Sequence, residues 1–408
     1  MIVKNETHII KECLDTIHKY IDYWVIVDTG STDGTQDLIR QYFAEKGIPG
    51  ELHERPWVGF GHNRTEALQL CDGKAEWAWM IDADDFIQGN LEFPSNVPKE
   101  LDGFALKFGR EDFSWWRTQI FRTGIGWKYV GVLHEYPTVE GKERPALAKL
   151  EGNYKIVART LGARNKDITP VEKYKKDAEL LEKALLEEPG NIRYQFYLAQ
   201  SYFDAQMFDK AEEEYLKRIQ MGGWEEEQFY AAYRRALCRG LQNKPWEQIQ
   251  QAFLEAWEIR PNRAEPLYQL ARVYRMMGHP KLGYLFAKMA IEVPYPSEDI
   301  LFVQEDVYKY GILDELASTA FYANKPHLGY SACKKLLVEG LIPEEHKVRI
   351  QNNLNEYIRF FKETNQMHII EQIDQQAQKQ AEKKDYKPAL FPAHKPKKFK
   401  QRPKGVSR

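Results

Sequence analysis

The chain carries no legible disulfide framework. Its four cysteines, Cys13, Cys71, Cys238 and Cys333, form no C-x-x-C pair, and the gaps between them run from 58 to 167 residues. That spacing excludes a stapled secreted scaffold and a zinc ribbon, and it predicts a reducing compartment, the cytoplasm. The opening Met1-Ile-Val-Lys-Asn-Glu6 lacks the apolar stretch of a signal peptide. No run approaches the roughly 18 apolar residues of a membrane span. Strong charge of one sign is also missing: the net charge is −2, which excludes a chain-wide nucleic-acid magnet. The balance is uneven, however. Residues 376–408 hold eleven Lys or Arg against Glu382 and Asp385, a net of +9, so the other 375 residues carry −2 − 9 = −11.

What is present is ordinary globular composition, 43% apolar and 29% charged, which excludes wholesale disorder. At roughly 150 residues per domain, 408 residues predict two or three domains. Aromatics are abundant: 10 Trp, 23 Tyr and 20 Phe. Rings in such number suit repeat-type helix packing or a site that stacks flat ligands.

Residues 1–160 alternate strand-like and helix-like segments. Trp24-Val25-Ile26-Val27 is a β-rich run ending at Asp28. The cap-rich turn Thr29-Gly30-Ser31-Thr32-Asp33-Gly34-Thr35 follows, and then Leu38, Ile39, Tyr42 and Phe43 at helical spacing. This reads as one strand–loop–helix arm of an α/β domain. Trp77-Ala78-Trp79-Met80-Ile81 is a second apolar run, expected to be a central strand buried on both faces, ending at Asp82-Ala83-Asp84-Asp85. Ligands of open α/β sheets bind outside the carboxyl ends of strands, where both acidic groups fall.

From Pro170 the pattern is helical throughout. Openings at Phe208, Pro245 and His279 are 37 and then 34 residues apart, and Pro326-His327-Leu328-Gly329-Tyr330 echoes the third. A period of about 34 residues in helix pairs is the tetratricopeptide signature, here degenerate. The expected organisation is an α/β domain over 1–165, repeats over 170–345, a terminal helix over 346–378 and a basic disordered tail over 379–408. Repeat rings such as Tyr194, Tyr197, Tyr202, Trp246 and Trp257 are expected in helix packing. The concave face of a solenoid suits an extended acceptor, a protein partner or self-association. The basic tail has no sequence-reading motif, so no specific nucleic acid is expected.

A D-x-D pair alone arises by chance in a chain this long, and a strand-to-loop turn would explain it. Acids at the end of an apolar strand are costly unless solvated or bound to a cation, and hard oxygens suit Mg²⁺ or Mn²⁺. Asp28, Ser31 and Asp33 have a plain reading as turn and cap residues. They also have a functional one, with Asp28 on a base or ribose.

Four motifs in order carry a resemblance: Met1-Ile-Val-Lys-Asn-Glu6, Val25-Ile-Val-Asp-Thr-Gly-Ser-Thr-Asp-Gly-Thr35, Gly61-His-Asn-Arg-Thr65 and Ile81-Asp-Ala-Asp-Asp85. Together they resemble inverting glycosyltransferase family two, with a GT-A fold, over about residues 1–160. The segment from Tyr194 to Asp204 resembles the branch with tetratricopeptide repeats after the transferase domain. The resemblance implies a nucleotide-sugar donor (UDP- or GDP-sugar), a glycan or polypeptide acceptor, and Mn²⁺ or Mg²⁺. By position it implies that the Val3 backbone meets the base, Asp28 bonds the nucleoside and Arg64 lies near the donor. Asp82 and Asp84 match the pair that places the metal, with Asp84 the direct ligand. For the catalytic base it offers Glu135 in His134-Glu135, with Asp112 in Glu111-Asp112 as the reserve. The metal-binding His that many relatives carry late in the domain has no counterpart between His134 and His279, so His134 is the expected third ligand. Arg159, Arg164 and Lys166 form a basic linker that could instead hold the leaving diphosphate.

Two other classes share these features. One is a scaffold with a transferase-like domain whose repeats bind a protein; intact Asp82, Asp84 and Glu135 oppose it. The other is nucleotidyl transfer, which lacks a Gly- and Lys/Arg-rich phosphate loop near the first strand.

Overall fold

The computed structural model describes residues 1–109, 114–159, 161–162 and 168–385, with side chains to residue 378. The first strands are β1 (Ile2–Val3), β2 (Trp24–Asp28) and β3 (Gly50–Glu54), paired parallel in the order β1-β2-β3. Val25, Ile26 and Val27 are stiff β-branched residues, and Trp24 stacks on Phe43 at 4.7 Å, so the run extends rather than coils. Helices α1 (Ile10–Ile17), α2 (Thr35–Lys46) and α3 (Phe60–Gln69) connect and follow these strands. Ile10, Cys13, Leu14 and Ile17 make the buried stripe of α1, at 3.6-residue spacing.

A second sheet contains β4 (Trp77–Trp79), β5 (Phe86–Gly89), β6 (Gly103–Gly109) and β7 (Ser114–Arg122). Beyond the hairpin β8 (Trp127–Val130) and β9 (Tyr136–Val139), it gains β10 (Leu147–Lys149) and β11 (Tyr154–Val157). Its order is β4-β7-β6-β11-β5, with β10 beside β6. The run from Trp77 departs from expectation. Only three residues are strand, Trp77 and Trp79 are partly exposed, and β4 pairs with β7 alone among the described strands. Trp77 and Trp79 share one face of this strand, where Trp77 packs on Phe93 and Phe104.

A capping box between Thr169 and Glu172 starts α4 (Pro170–Glu187), as the Pro170 boundary predicts. Helices α5 (Ile192–Asp204), α6 (Phe208–Gln220), α7 (Glu225–Leu241), α8 (Trp246–Ile259), α9 (Glu265–Met276) and α10 (Pro280–Ile291) follow as hairpins packed on their neighbours. The openings expected at 208, 245 and 279 coincide with α6, α8 and α10 to within one residue. A strap then returns to the α/β domain. Ser114 and Val303 exchange backbone bonds of 3.2 Å, and Trp116 N donates to Ile300 O at 3.1 Å.

The chain divides into two compact units, Met1–Leu316 and Ala317 onward, within α11 (Ile312–Thr319) rather than near residue 345. The second unit contains α12 (Pro326–Val338), α13 (Glu344–Glu363) and α14 (Met367–Asp385). The single helix expected over 346–378 is therefore two, and the second runs past 379. Asn365 takes a left-handed φ of 55°, and the Thr364 hydroxyl caps Phe360 O at 2.8 Å, which ends α13. The basic segment from 386 lies outside the described residues. No helix among the described residues is long and apolar enough to cross a membrane, and no disulfide joins the four cysteines.

Candidate active site

The site forms where β2, β4 and the β8–β9 turn converge on α3. Asp28 ends β2, and its Oδ1 accepts from Gly30 N at 2.9 Å, Ser31 N at 2.8 Å and Gln36 Nε2 at 3.2 Å. Its Oδ2 is buried without a partner. Asn5 N donates to Ser31 Oγ at 2.9 Å, and Thr32 N donates to Asn5 Oδ1 at 2.8 Å. The segment after β1 is thereby latched to the turn after β2. The Val3 carbonyl accepts from both Thr29 N at 2.9 Å and Thr29 Oγ1 at 3.1 Å. Asp33 lies just before α2: burial pushes its carboxyl up, but bonds from Thr35 and Thr7 outweigh that and hold it at about 2.

Arg64, on the second turn of α3, is the hub. Nη2 donates to Asp82 Oδ1 at 2.5 Å and Nη1 to Glu135 Oε2 at 2.6 Å. Arg117 of β7 reaches Asp82 Oδ2 at 3.5 Å. Burial disfavours the Arg64 charge, and the Asp82 and Glu135 carboxylates overcome it and raise the guanidinium pKa. Burial likewise pushes Asp82 up, while Arg64 and Arg117 hold it well below the carboxylate range. Three residues of the Gly61–Thr65 motif set this geometry. A Cβ at Gly61 would meet Tyr129 O at 3.3 Å and Gly131 O at 3.4 Å, so α3 needs glycine to approach β8. Asn63 is fully buried and clamps Val58 N, Gly59 N and Pro56 O. Thr65 Oγ1 accepts from Tyr129 N at 2.9 Å.

Asp84 and Asp85 are held differently. Asp84 Oδ2 accepts from Leu161 N at 2.9 Å and Gly162 N at 3.0 Å. Burial raises its carboxyl pKa, and the Asp82 charge adds to that against the Gly162 bond. Asp85 is more buried, its Oδ2 has no partner, and burial with the Asp82 charge lifts it well above the usual range. Arg159 donates to the Asp84 carbonyl at 2.8 Å and to Glu12 at 2.6 Å, so it braces the acidic loop.

The structure thus joins Arg64, Asp82 and Glu135 directly and sets Asp84 two residues from Asp82. The His134 ring lies against Tyr197, centroids 3.9 Å apart, and no group of three His, Cys, Asp or Glu among the described residues is arranged to hold an ion. Asp112, Arg164 and Lys166 lie outside the described residues. A cleft of about 900 Å³ opens beside Arg64, lined by Val3, Thr29, Trp57, Phe60, Tyr129 and, from the helical region, Leu180. Trp57 packs edge-on against Phe60 at 4.7 Å and remains 44% exposed, which leaves a ring face for a flat group to stack on. The aromatic pair flanking Val58-Gly59 is a legible motif that sequence reasoning passed over. Arg117 sits amid Trp115 and Trp116 with nothing local to mark it.

Residues 1–95 match the family model of Glycosyl transferase family 2. Over that segment, about a quarter of the chain, the sequence is similar to family 2 glycosyl transferases. Among curated relatives, the lipopolysaccharide core biosynthesis glycosyltransferase LpsC of Rhizobium meliloti (strain 1021) is 34% identical over 85 residues, 21% of this chain and 30% of that one. The SPbeta prophage-derived glycosyltransferase SunS of Bacillus subtilis (strain 168) is 25% identical over 230 residues, 53% of this chain and 51% of that one. The latter match is too long to lie within the transferase domain alone. The chain spans about half the length of SunS and under a third of LpsC. Among solved structures, BtubC from P. vanneervenii covers 57% of this chain and 98% of its own at 12% identity and a TM-score of 0.36. A thermophilic TPR protein of Thermus thermophilus covers 45% and 92% at 17% identity and 0.31. Those scores are low, and the tetratricopeptide-like character of the region after the transferase domain rests on its helix pairing.

Proposed function

We propose that the protein transfers a sugar from a nucleoside-diphosphate donor to an acceptor hydroxyl, with inversion. The observation that carries this reading is the buried ion-pair chain Asp82–Arg64–Glu135, which fixes one carboxylate opposite the acidic loop. Glu135 takes the acceptor proton as the acceptor oxygen attacks the anomeric carbon. The bond to the diphosphate breaks, and the nucleoside diphosphate leaves with its electron pair. Asp28 Oδ2, buried and unpartnered, is an acceptor suited to a base or ribose donor group. The cleft beside Trp57 and Val3 takes the nucleoside.

A divalent cation fits the acidic loop in part. Mg²⁺ and Mn²⁺ commonly take one or two carboxylates and complete their shell with phosphate oxygens and water. Asp84 is the residue to hold it, because both Asp82 oxygens face arginines. When bound, the ion offsets the charge that develops on the leaving diphosphate. Arg64 and Arg117 supply positive charge from the chain itself. The acceptor is a glycan or a polypeptide reaching the helical repeats, and the repeats hold it or a protein partner.

The test is release of nucleoside diphosphate from a panel of UDP- and GDP-sugars, with Mn²⁺ and with EDTA, alongside thermal melting. Ligand at 100 Kd stabilises by about 2.7 kcal/mol, which melting resolves. A shift with one donor class, with nucleotide release that Asp84→Ala abolishes, supports the transferase. Absence of both with every donor overturns it in favour of the scaffold.

A further inference from the structure

Glu135 sits in a turn that the transferase domain does not hold alone. Between β8 and β9 the backbone passes Gly131 at φ 118° and His134 at φ 53°. The second value lies in the left-handed region, which a residue with a Cβ keeps only when its surroundings enforce it. Here the surroundings are helices α4 and α5. Leu133, 4% exposed, packs into a cluster with Ala178 and Leu181 of α4 and with Tyr194 and Leu198 of α5. The His134 ring lies flat on Tyr197, the planes 12° apart. Arg193 donates to the His134 carbonyl twice, from Nη2 at 2.8 Å and Nε at 3.1 Å. Its guanidinium is held over the Tyr136 and Tyr197 rings at 5.0 and 4.9 Å, so its aim is fixed from both sides. A fork that gives two N–H bonds to one carbonyl turns that peptide into a set orientation, and the next side chain is Glu135 on Arg64.

We infer that Arg193 is a positioning residue: by holding the left-handed His134 peptide it sets the Glu135 carboxylate against Arg64, so that the first repeat hairpin completes the transferase site. This rests on the reading of Glu135 as the base. It also explains why the helical region follows the transferase domain so closely, with Leu180 of α4 lining the same cleft.

The test uses the full chain with Arg193→Ala, Arg193→Lys, Glu135→Gln and the Arg193→Ala/Glu135→Gln double variant. Three quantities are read: nucleoside diphosphate release from the UDP- or GDP-sugar that the unaltered protein turns over, the Kd of that donor, and amide hydrogen exchange of residues 131–136. Arg193→Ala is expected to lower kcat about tenfold with the donor Kd within about twofold, because only the base is misplaced. Arg193→Lys restores part of the rate, since an ammonium reaches the carbonyl without the fork. In the Glu135→Gln background Arg193→Ala costs nothing further, as expected of a residue acting through Glu135 alone. Exchange at 131–136 rises in Arg193→Ala while α5 keeps its protection. Unchanged turnover, donor affinity lost in step with turnover, or a full further loss in the double variant overturns the inference. If the unaltered protein releases nucleotide from no donor, the proposed function fails, and exchange alone decides whether Arg193 holds the turn; unchanged exchange overturns it.

Discussion

Two buried arginines anchor the two halves of the first unit, and their surroundings differ. Arg263, just before α9, is 1% exposed and fully engaged. It bonds both Glu265 oxygens, Asp299 Oδ2 at 3.2 Å, Leu301 O at 3.3 Å and Phe302 O at 3.0 Å. Glu226 completes that network by accepting from Ile300 N and Leu301 N. Arg64, 8% exposed, joins two carboxylates but leaves its Nε unbonded. Around it Asp28 Oδ2, Asp85 Oδ2 and the Tyr129 hydroxyl are also buried without partners, and burial lifts the Tyr129 hydroxyl to about 12. Buried polar groups are normally satisfied, so a satisfied network fixes a strap, whereas a concentration of unsatisfied groups marks where a ligand's own polar atoms belong.

The comparison predicts that changes around Arg64 are read in turnover and changes around Arg263 in stability. The largest effect is expected from Glu135→Gln, which removes the base while keeping a side chain that Arg64 can bond. Turnover, followed as nucleotide release, falls about 10²–10⁴-fold, with donor affinity retained. Arg263→Ala leaves Glu265 buried without its cation, while Asp299 keeps Arg260. It lowers the unfolding free energy by about 3–5 kcal/mol in denaturant titration, while turnover per folded molecule holds. A loss of turnover without a loss of stability would break the comparison.

Smaller effects sharpen it. Gly329→Ala in α12 drives a Cβ into the hydroxyl and ring of the buried Tyr357, so the second unit loses about 1–3 kcal/mol, seen as an earlier unfolding transition with no change in donor binding. The smallest change is a gain. Asp85 has its carboxyl raised by burial and by Asp82, so the folded chain keeps a proton that the unfolded chain has lost. Stability therefore falls as pH rises above about 3.9, the unfolded value. Asp85→Asn removes that cost and raises stability at pH 7. The gain shrinks as pH falls towards 4, and a melting series across pH checks both statements.

Much of this architecture was legible. Val25 to Val27 ending at Asp28, the helix openings near 208, 245 and 279, and the break at Pro170 depend on β-branching, caps and proline, which act within a few residues. Asp82 stood out through the order of the four motifs up to Asp85, and Glu135 only through the resemblance around His134-Glu135; that both reach Arg64 is a tertiary fact. The strand from Trp77 was misjudged because apolar content does not say which neighbours a strand will find. His134 was expected as a ligand from the resemblance alone; its ring contact with Tyr197 depends on a residue 63 positions away, which no local pattern marks. Arg117 and Arg193 gave no local signal; each matters only through a residue 35 or 59 positions away.

The α/β-then-helical order, the acids at the strand ends and the spacing of the helix pairs are local properties of the chain. Each follows from backbone propensity and side-chain periodicity over one or two turns. The place of Arg64 between Asp82 and Glu135, and the bonds from Arg193 of α5 to the turn that bears Glu135, come from long-range packing. Those pairings are made across 18, 71 and 59 residues, where partners are chosen by packing and by the cost of leaving a buried charge alone.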